Sequence, residues 1–131
     1  SVGSHFDANL MPGAFLVSLQ TRNEAANQAI AGVLAELNRI REAPVTDHEL
    51  ADAKSYLIGS FALRVDTVSK LAEVLGLIEL YGLGLDYFTR YPKLIEQITK
   101  EDVLRVAKQY VHPARYALMV VGNLAKAKVK Q

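Results

Sequence analysis

The spacing of apolar residues near the start of the chain predicts a β-hairpin. Residues 14–20 alternate between apolar and other side chains, the two-residue period of a half-buried strand. The residues on the apolar side are Phe15, Val17 and Leu19. Residues 2–6 also have the composition of a short strand, and residues 7–13 between them contain the proline and glycine typical of a turn. The two strands are therefore expected to pair antiparallel.

Apolar residues at spacings of three and four predict helices after the hairpin. The first stripe is formed by Ala26, Ile30, Val33, Leu37 and Ile40. Thr21 with Glu24, and Thr46 with Glu49, fit capping boxes that would begin the first two helices. The second helix carries its own stripe of Leu50, Ala53, Leu57 and Phe61.

The remaining segments are predicted in the same way. Asp66 is expected to cap a third helix, whose inward residues would be Val68, Leu71, Leu75 and Ile78. Gly82 and Gly84 would end it. A short helix is expected from Asp86 through Ile98, with a kink or a restart near Pro92. A last helix is expected from Thr99 to the His112–Pro113 pair. Residues 115–121 are apolar and predict a third strand.

This order of elements predicts an α+β fold, in which a small antiparallel or mixed sheet of about three strands carries helices packed on one face. Residues 1–122 are expected to form one partial domain. Residues 123–131, with three lysines and no acidic residue, are expected to be a basic tail that frays. Because the chain lacks an initiating methionine and begins in a strand, we interpret it as a fragment of a longer polypeptide.

Composition and charge exclude several classes of function. The net charge of +1, from 15 basic and 14 acidic residues, gives no footprint for nucleic acid, and we expect no nucleic-acid partner. No apolar run approaches the roughly 20 residues of a membrane helix. The absence of cysteine excludes disulfides and thiolate metal sites. His5, His48 and His112 lie too far apart in sequence for an HExxH or HxxEH zinc motif, and no serine lies in a known nucleophile motif.

An aromatic-rich turn lies between Tyr81 and Tyr91. Tyrosine combines a large contact area with a polar tip, so this turn has two interpretations. It is a surface that contacts a peptide or a partner, or it is a corner packed between two helices.

Several motifs together resemble the insulinase/pitrilysin metallopeptidase family, which includes the mitochondrial processing peptidase. They are residues 13–22 (GAFLVSLQTR), Thr46-x-x-Glu49-Leu50-x-x-Ala53-Lys54, Tyr81-Gly82-Leu83-x-Leu85-Asp86-Tyr87 followed by Pro92, and Ile98-Thr99-x-Glu101-Asp102-Val103 followed by Pro113 and by Val120-Val121-Gly122. The motifs keep the family order and span residues 2–122. The resemblance is to the C-terminal, non-zinc domain of such enzymes.

The resemblance implies a non-catalytic half that pairs with a zinc-bearing HxxEH half and helps to enclose peptide substrates. It implies no catalytic residue here, since the Arg and Tyr with which such halves stabilise the reacting peptide would precede Ser1. It implies no metal ligand either, since the chain has no HxxEH motif. Zinc is expected only in the partner half. Residues expected to contact the substrate cavity or a partner are Phe15, Val17, Leu19, Tyr81 and Tyr87. The alternative is a structural interaction module of the same fold without a peptidase role.

Two further expectations concern assembly and location. An unpaired edge at residues 2–6 would favour a homodimer or aggregation. The family implies a bacterial periplasmic location, with the cytoplasm or an organelle as alternatives.

Overall fold

The computed structural model describes residues 1–8 and 10–129. Asn9, in the expected hairpin turn, and Lys130 and Gln131, in the expected tail, lie outside the described residues. The chain divides into two compact units, one of Ser1–Pro44 with Leu104–Gln131 and one of Val45–Val103. The elements are β1 (Val2–Ala8), β2 (Pro12–Leu19), α1 (Ala26–Glu42), α2 (Asp47–Phe61), α3 (Val68–Leu80), α4 (Tyr87–Glu96), α5 (Lys100–Tyr110) and α6 (Leu124–Ala127). The α+β class predicted from the sequence is confirmed.

The predicted hairpin is present in the first unit, with longer strands than expected. β1 and β2 pair antiparallel, with Val2 opposite Leu19 and Phe6 opposite Phe15, whose rings lie 4.6 Å apart between centroids. The register is irregular between Phe6 and Ala8. At this point a Cβ atom on Gly13 would collide with the carbonyl oxygen of Asp7, so only glycine allows the two strands to approach.

Helix α1 has the predicted apolar stripe, but its N-terminus differs from the prediction. Ala26 is buried, and the four residues that follow it in the stripe are half-buried. The prediction of a capping box at Thr21 was wrong, because a 3-10 turn at Asn23–Ala25 precedes the helix. Neither the start of this turn nor the start of α1 has a side-chain cap. The N-cap position of the 3-10 turn is Arg22 and that of α1 is Ala25, so Thr21 occupies neither position.

The C-terminal segment is folded where the structure describes it. Helix α6 buries Ala127, and the side-chain amide of Asn27 donates hydrogen bonds to the carbonyl oxygens of Ala127 (3.3 Å) and Lys128 (2.9 Å). These bonds join the start of α1 to the end of α6. The expectation that this segment frays was therefore wrong for residues 124–128.

The prediction of a third strand was also wrong, because the sheet of the described residues contains two strands rather than three. Residues 116–121 lie outside any helix or strand. Within the described part of the chain, they make no backbone-to-backbone hydrogen bond. Strand composition alone does not make a strand when no neighbouring strand pairs with it.

The second unit begins with the capping box predicted at Thr46. The Thr46 hydroxyl accepts from the Glu49 amide at 3.1 Å, and the Glu49 carboxylate accepts from the Thr46 amide at 2.8 Å. The cap of α3 was assigned to the wrong residue, because Thr67 accepts from the Lys70 amide while Asp66 pairs with the Lys70 side chain at 2.8 Å.

The apolar stripe of α3 is only partly buried. Ile78 is 2% exposed, but Val68 is 86% exposed and Leu71 and Leu75 are also exposed, so three of the four inward assignments were wrong. Gly82 and Gly84, with φ of 60° and 83°, end the helix as predicted. The spacing correctly identified an apolar face of the helix, but it contained no information on what covers that face.

Helix α4 packs against α2 through aromatic rings. Phe61 stacks on Tyr91 at 4.0 Å between centroids and meets Tyr87 edge-on at 6.3 Å. The helix continues through Pro92 from Tyr87 to Glu96, without the expected restart.

An ion pair joins the start of α5 to the start of α2. Lys100 Nζ lies 2.8 Å from Asp47 Oδ1, and this hydrogen bond and the carboxylate charge raise the pKa of Lys100. No helix among the described residues is long and apolar enough to cross a membrane.

The capping boxes give a matched pair of substitutions. Thr46→Ala should lower the free energy of unfolding by about 1 kcal/mol, because it removes an observed cap. Thr21→Ala should change it by less than about 0.5 kcal/mol, since that hydroxyl caps no helix here. Urea unfolding followed by circular dichroism measures both. Equal losses for the two variants would contradict the assigned caps.

The hairpin gives a second pair. Gly13→Ala should lower the free energy of unfolding by about 1–3 kcal/mol, because the new methyl group collides with the Asp7 carbonyl. Gly3→Ala in the paired strand meets nothing within 4 Å and should leave stability nearly unchanged. If thermal unfolding gave the same midpoint for Gly13→Ala as for the unmodified chain, the close approach would be refuted.

Candidate functional site

The alternating residues of β2 lie in the first unit, on the inward side of the hairpin. Phe15, Val17 and Leu19 are half-buried, and the intervening Leu16 and Ser18 are exposed. The structure therefore brings together three of the five residues that the sequence assigned to a contact surface. Their inward side faces two grooves, both formed within this unit.

The hairpin groove lies between the hairpin and α1 and has a volume of about 610 Å³. Its lining residues are residues 1–4 and 19–21 with Val17 from the hairpin, and Ala29, Gly32, Val33, Glu36 and Leu37 from α1. Small residues on α1 leave the space open, and Glu36 is the acidic residue among the lining side chains.

The edge groove has a volume of about 470 Å³ and contains no residue of β1. Its lining residues are residues 14–17 and Leu19 of β2, Ile30, Val33, Leu34 and Leu37 of α1, and residues 110–113 and 115–118. Successive residues of β2 point to opposite faces of the sheet, yet four in a row line this groove. It therefore follows the edge of β2 that does not pair with β1.

The chemistry of the edge groove is apolar with a basic end. Its side chains are mostly aliphatic or aromatic, and its charged or titratable groups are Arg115, His112 and two tyrosines. No carboxylate of the described residues lines it. Such a surface suits an apolar ligand that carries an acidic group near Arg115.

The structure places the other two predicted contact residues in the second unit. Tyr87 belongs to the aromatic cluster with Phe61 and Tyr91, which supports the interpretation of a corner packed between helices. Tyr81 is half-buried at the C-terminal end of α3. Neither tyrosine lies in the unit that forms the grooves.

The three histidines do not converge on a metal site. His48 Nδ1 lies 2.9 Å from Asp52 on the exposed side of α2, one turn away in the same helix. Among the residues that the structure describes, no group of three His, Cys, Asp or Glu side chains could hold a metal ion.

Two features of the first unit were missed at the sequence level. Residues 110–113 and 115–118 form one wall of the edge groove, whereas the sequence analysis assigned the first group to the end of the last helix and the second to a third strand. Asn27 joins α1 to α6 over 100 positions, and no local pattern indicates such a contact.

Comparisons with known proteins agree with the motifs. Residues 1–57 match the family model described as the Peptidase M16 inactive domain. The chain is also 35% identical over 88 residues to the mitochondrial-processing peptidase subunit beta of Blastocladiella emersonii. That match includes 66% of this chain and 18% of the relative, so the chain spans about a fifth of the relative's length.

These matches confirm the family resemblance found in the sequence. Residues 1–57, which match the M16 inactive-domain model, include β1, β2, α1 and most of α2. The matched stretch therefore holds both strands and the helix that line the hairpin groove.

Proposed function

We propose that this chain contributes to the non-catalytic half of an M16 metallopeptidase, in which it pairs with a zinc-bearing HxxEH half. The observation that carries the proposal is the inactive-domain match over β1, β2 and α1. Those elements hold Phe15, Val17 and Leu19, which line open apolar grooves large enough for several side chains of a peptide. In this role the chain itself binds no zinc, and the metal belongs to the partner half.

The grooves support a role in enclosing substrate. Peptide-binding sites combine apolar walls with a few polar groups that fix orientation. The hairpin groove offers Glu36, and the edge groove offers Arg115 and His112. The two grooves share Val17 and Leu19, so β2 would be the strand nearest to a bound peptide.

Cleavage by the reconstituted assembly tests this function. The complete protein that carries this sequence is mixed with its HxxEH-bearing partner, and hydrolysis of a quenched fluorescent peptide is followed. Val17→Lys should lower kcat/KM at least tenfold, because it places a charge in both grooves. Ser18→Lys, one position along on the exposed side of β2, should stay within twofold.

Circular dichroism and co-elution of the two subunits show whether each variant folds and pairs. Hydrolysis by the partner alone, unchanged on adding this protein, would refute the peptidase role. Equal activity of the two lysine variants, both folded and paired, would refute the placement of β2 at the substrate.

The second candidate is a structural interaction module of the same fold. The observation that favours it is the number of large apolar residues left exposed, among them Met119 in the first unit and Val68 and Leu85 in the second. A homodimer through the outer edge of β1 is one form of this candidate and stays a prediction. Sedimentation equilibrium should then show a dimer that dissociates on dilution, and a monomer at all concentrations would refute it.

The location proposed for the protein is the mitochondrion, since the matched relative is named as a mitochondrial-processing peptidase. A fluorescent fusion of the complete protein tests this location. The periplasm expected from the sequence gains no support from the comparisons.

A further inference from the structure

Residues 122–128, called the clasp here, lie against the start of α1 at two points. At the first point, a Cβ atom added to the glycine of the clasp would lie 3.1 Å from the side-chain oxygen of Asn23 in the 3-10 turn. At the second point, the side-chain amide of Asn27 donates to the carbonyl oxygens of Ala127 and Lys128, at 3.3 and 2.9 Å. The clasp therefore bridges the 3-10 turn and the first turn of α1.

The clasp contains a helix that is too short to be stable without these contacts. The side chain of Asn123 accepts from the amide of Lys126 at 3.2 Å. The amides of Ala127 and Lys128 donate to the carbonyl oxygens of Asn123 and Leu124, at 2.9 and 3.0 Å. Isolated helices shorter than about 12 residues are marginal in water. The four residues of α6 therefore depend on the start of α1 to remain helical.

The clasp ends in a strained backbone conformation. Lys128 has φ of 46° and ψ of 45°, and among the residues that the structure describes it is the one other than glycine with a positive φ. Helices that end in this left-handed conformation usually have glycine there, because a Cβ atom crowds the backbone. A strained residue persists only where the surrounding contacts hold it. Here the carbonyl oxygen of Lys128 accepts from Asn27, so this bond opposes the strain.

Opening of the clasp would uncover little apolar surface. Ala127 is 4% exposed, and the other residues of the clasp are exposed. Segments with few buried contacts open locally, at a free energy below that of global unfolding. The clasp can therefore open while the rest of the first unit stays folded.

We propose that the clasp is a releasable strap on the start of α1, closed by the side-chain amide of Asn27 and biased toward opening by the backbone of Lys128. In the open state residues 123–128 leave α1 and α6 unwinds. The first turn of α1 leads to Ala29 and Ile30, which line the hairpin groove and the edge groove respectively. Opening therefore loosens the end of the helix next to both grooves. This inference does not rest on the proposed function.

Hydrogen exchange of the complete protein that carries this sequence measures the opening, because the closed clasp hydrogen-bonds the amides of residues 126–128. Their protection factors should be at least tenfold lower than those of residues 33–40 in the centre of α1. Asn27→Asp should lower the protection of residues 126–128 at least tenfold further, because a carboxylate cannot donate and repels both carbonyl oxygens. An acidic residue in the first turn favours a helix, so residues 33–40 should stay within twofold.

Two further variants separate the strap from a general loss of stability. Gln28→Glu adds the same charge at the next, exposed position of α1 and should leave the protection of the clasp within twofold. Lys128→Gly should raise that protection at least threefold, because glycine adopts the left-handed conformation without a Cβ clash. A variant that closes the clasp by removing a side chain is the distinctive result, since it is expected only where strain opposes closure.

Three results would overturn the proposal. Equal effects of Asn27→Asp and Gln28→Glu would show that the Asn27 amide does not close the clasp. Unchanged or lower protection in Lys128→Gly would show that no strain favours opening. Protection of residues 126–128 equal to that of residues 33–40 would make the clasp a fixed part of the unit. If circular dichroism showed that Asn27→Asp does not fold, the unmodified protein and Lys128→Gly would still decide between a strap and a fixed segment.

Discussion

The pairing of strand backbones is the constraint on which the first unit depends. A strand in water must pair its N–H and C=O groups on both edges or leave them to solvent, and two strands alone are marginally stable. Here β1 and β2 satisfy each other along one edge, with a register fixed where Gly13 approaches Asp7. The N–H and C=O groups that have no strand partner lie along the outer edge of β1, along the outer edge of β2 and in residues 116–121. The edge groove lies between the last two of these.

The parts of the fold that the sequence predicted correctly depend on contacts between near neighbours. The Thr46 cap joins residues three apart, and the alternation along β2 is a property of consecutive residues. Thr21 shows the limit of the same reasoning, since its spacing to Glu24 is identical but the chain takes a 3-10 turn there. A motif of four residues favours a cap, and the path of the chain into the helix decides whether the cap forms.

The parts that the sequence predicted wrongly depend on partners far away in the chain. Residues 115–121 have the composition of a strand, but a strand is defined by a neighbour that the local sequence does not specify. Val68 and Ile78 lie on the same predicted stripe of α3, yet one is 86% exposed and the other 2%. Periodicity gives the direction of an apolar face, and only tertiary packing determines how much of that face is covered.

The same distinction explains what could be predicted of the candidate site. Phe15, Val17 and Leu19, which line the edge groove, could be predicted because their alternation is a side-chain pattern. The opposite wall is a segment whose backbone N–H and C=O groups lack a strand partner, and no side-chain pattern indicates this. Unpaired backbone has little side-chain signature, since every residue carries the same main-chain groups. Sequence motifs therefore identify a family and one wall of the groove, while the unpaired segment across from β2 becomes visible only when hydrogen bonds are traced through the fold.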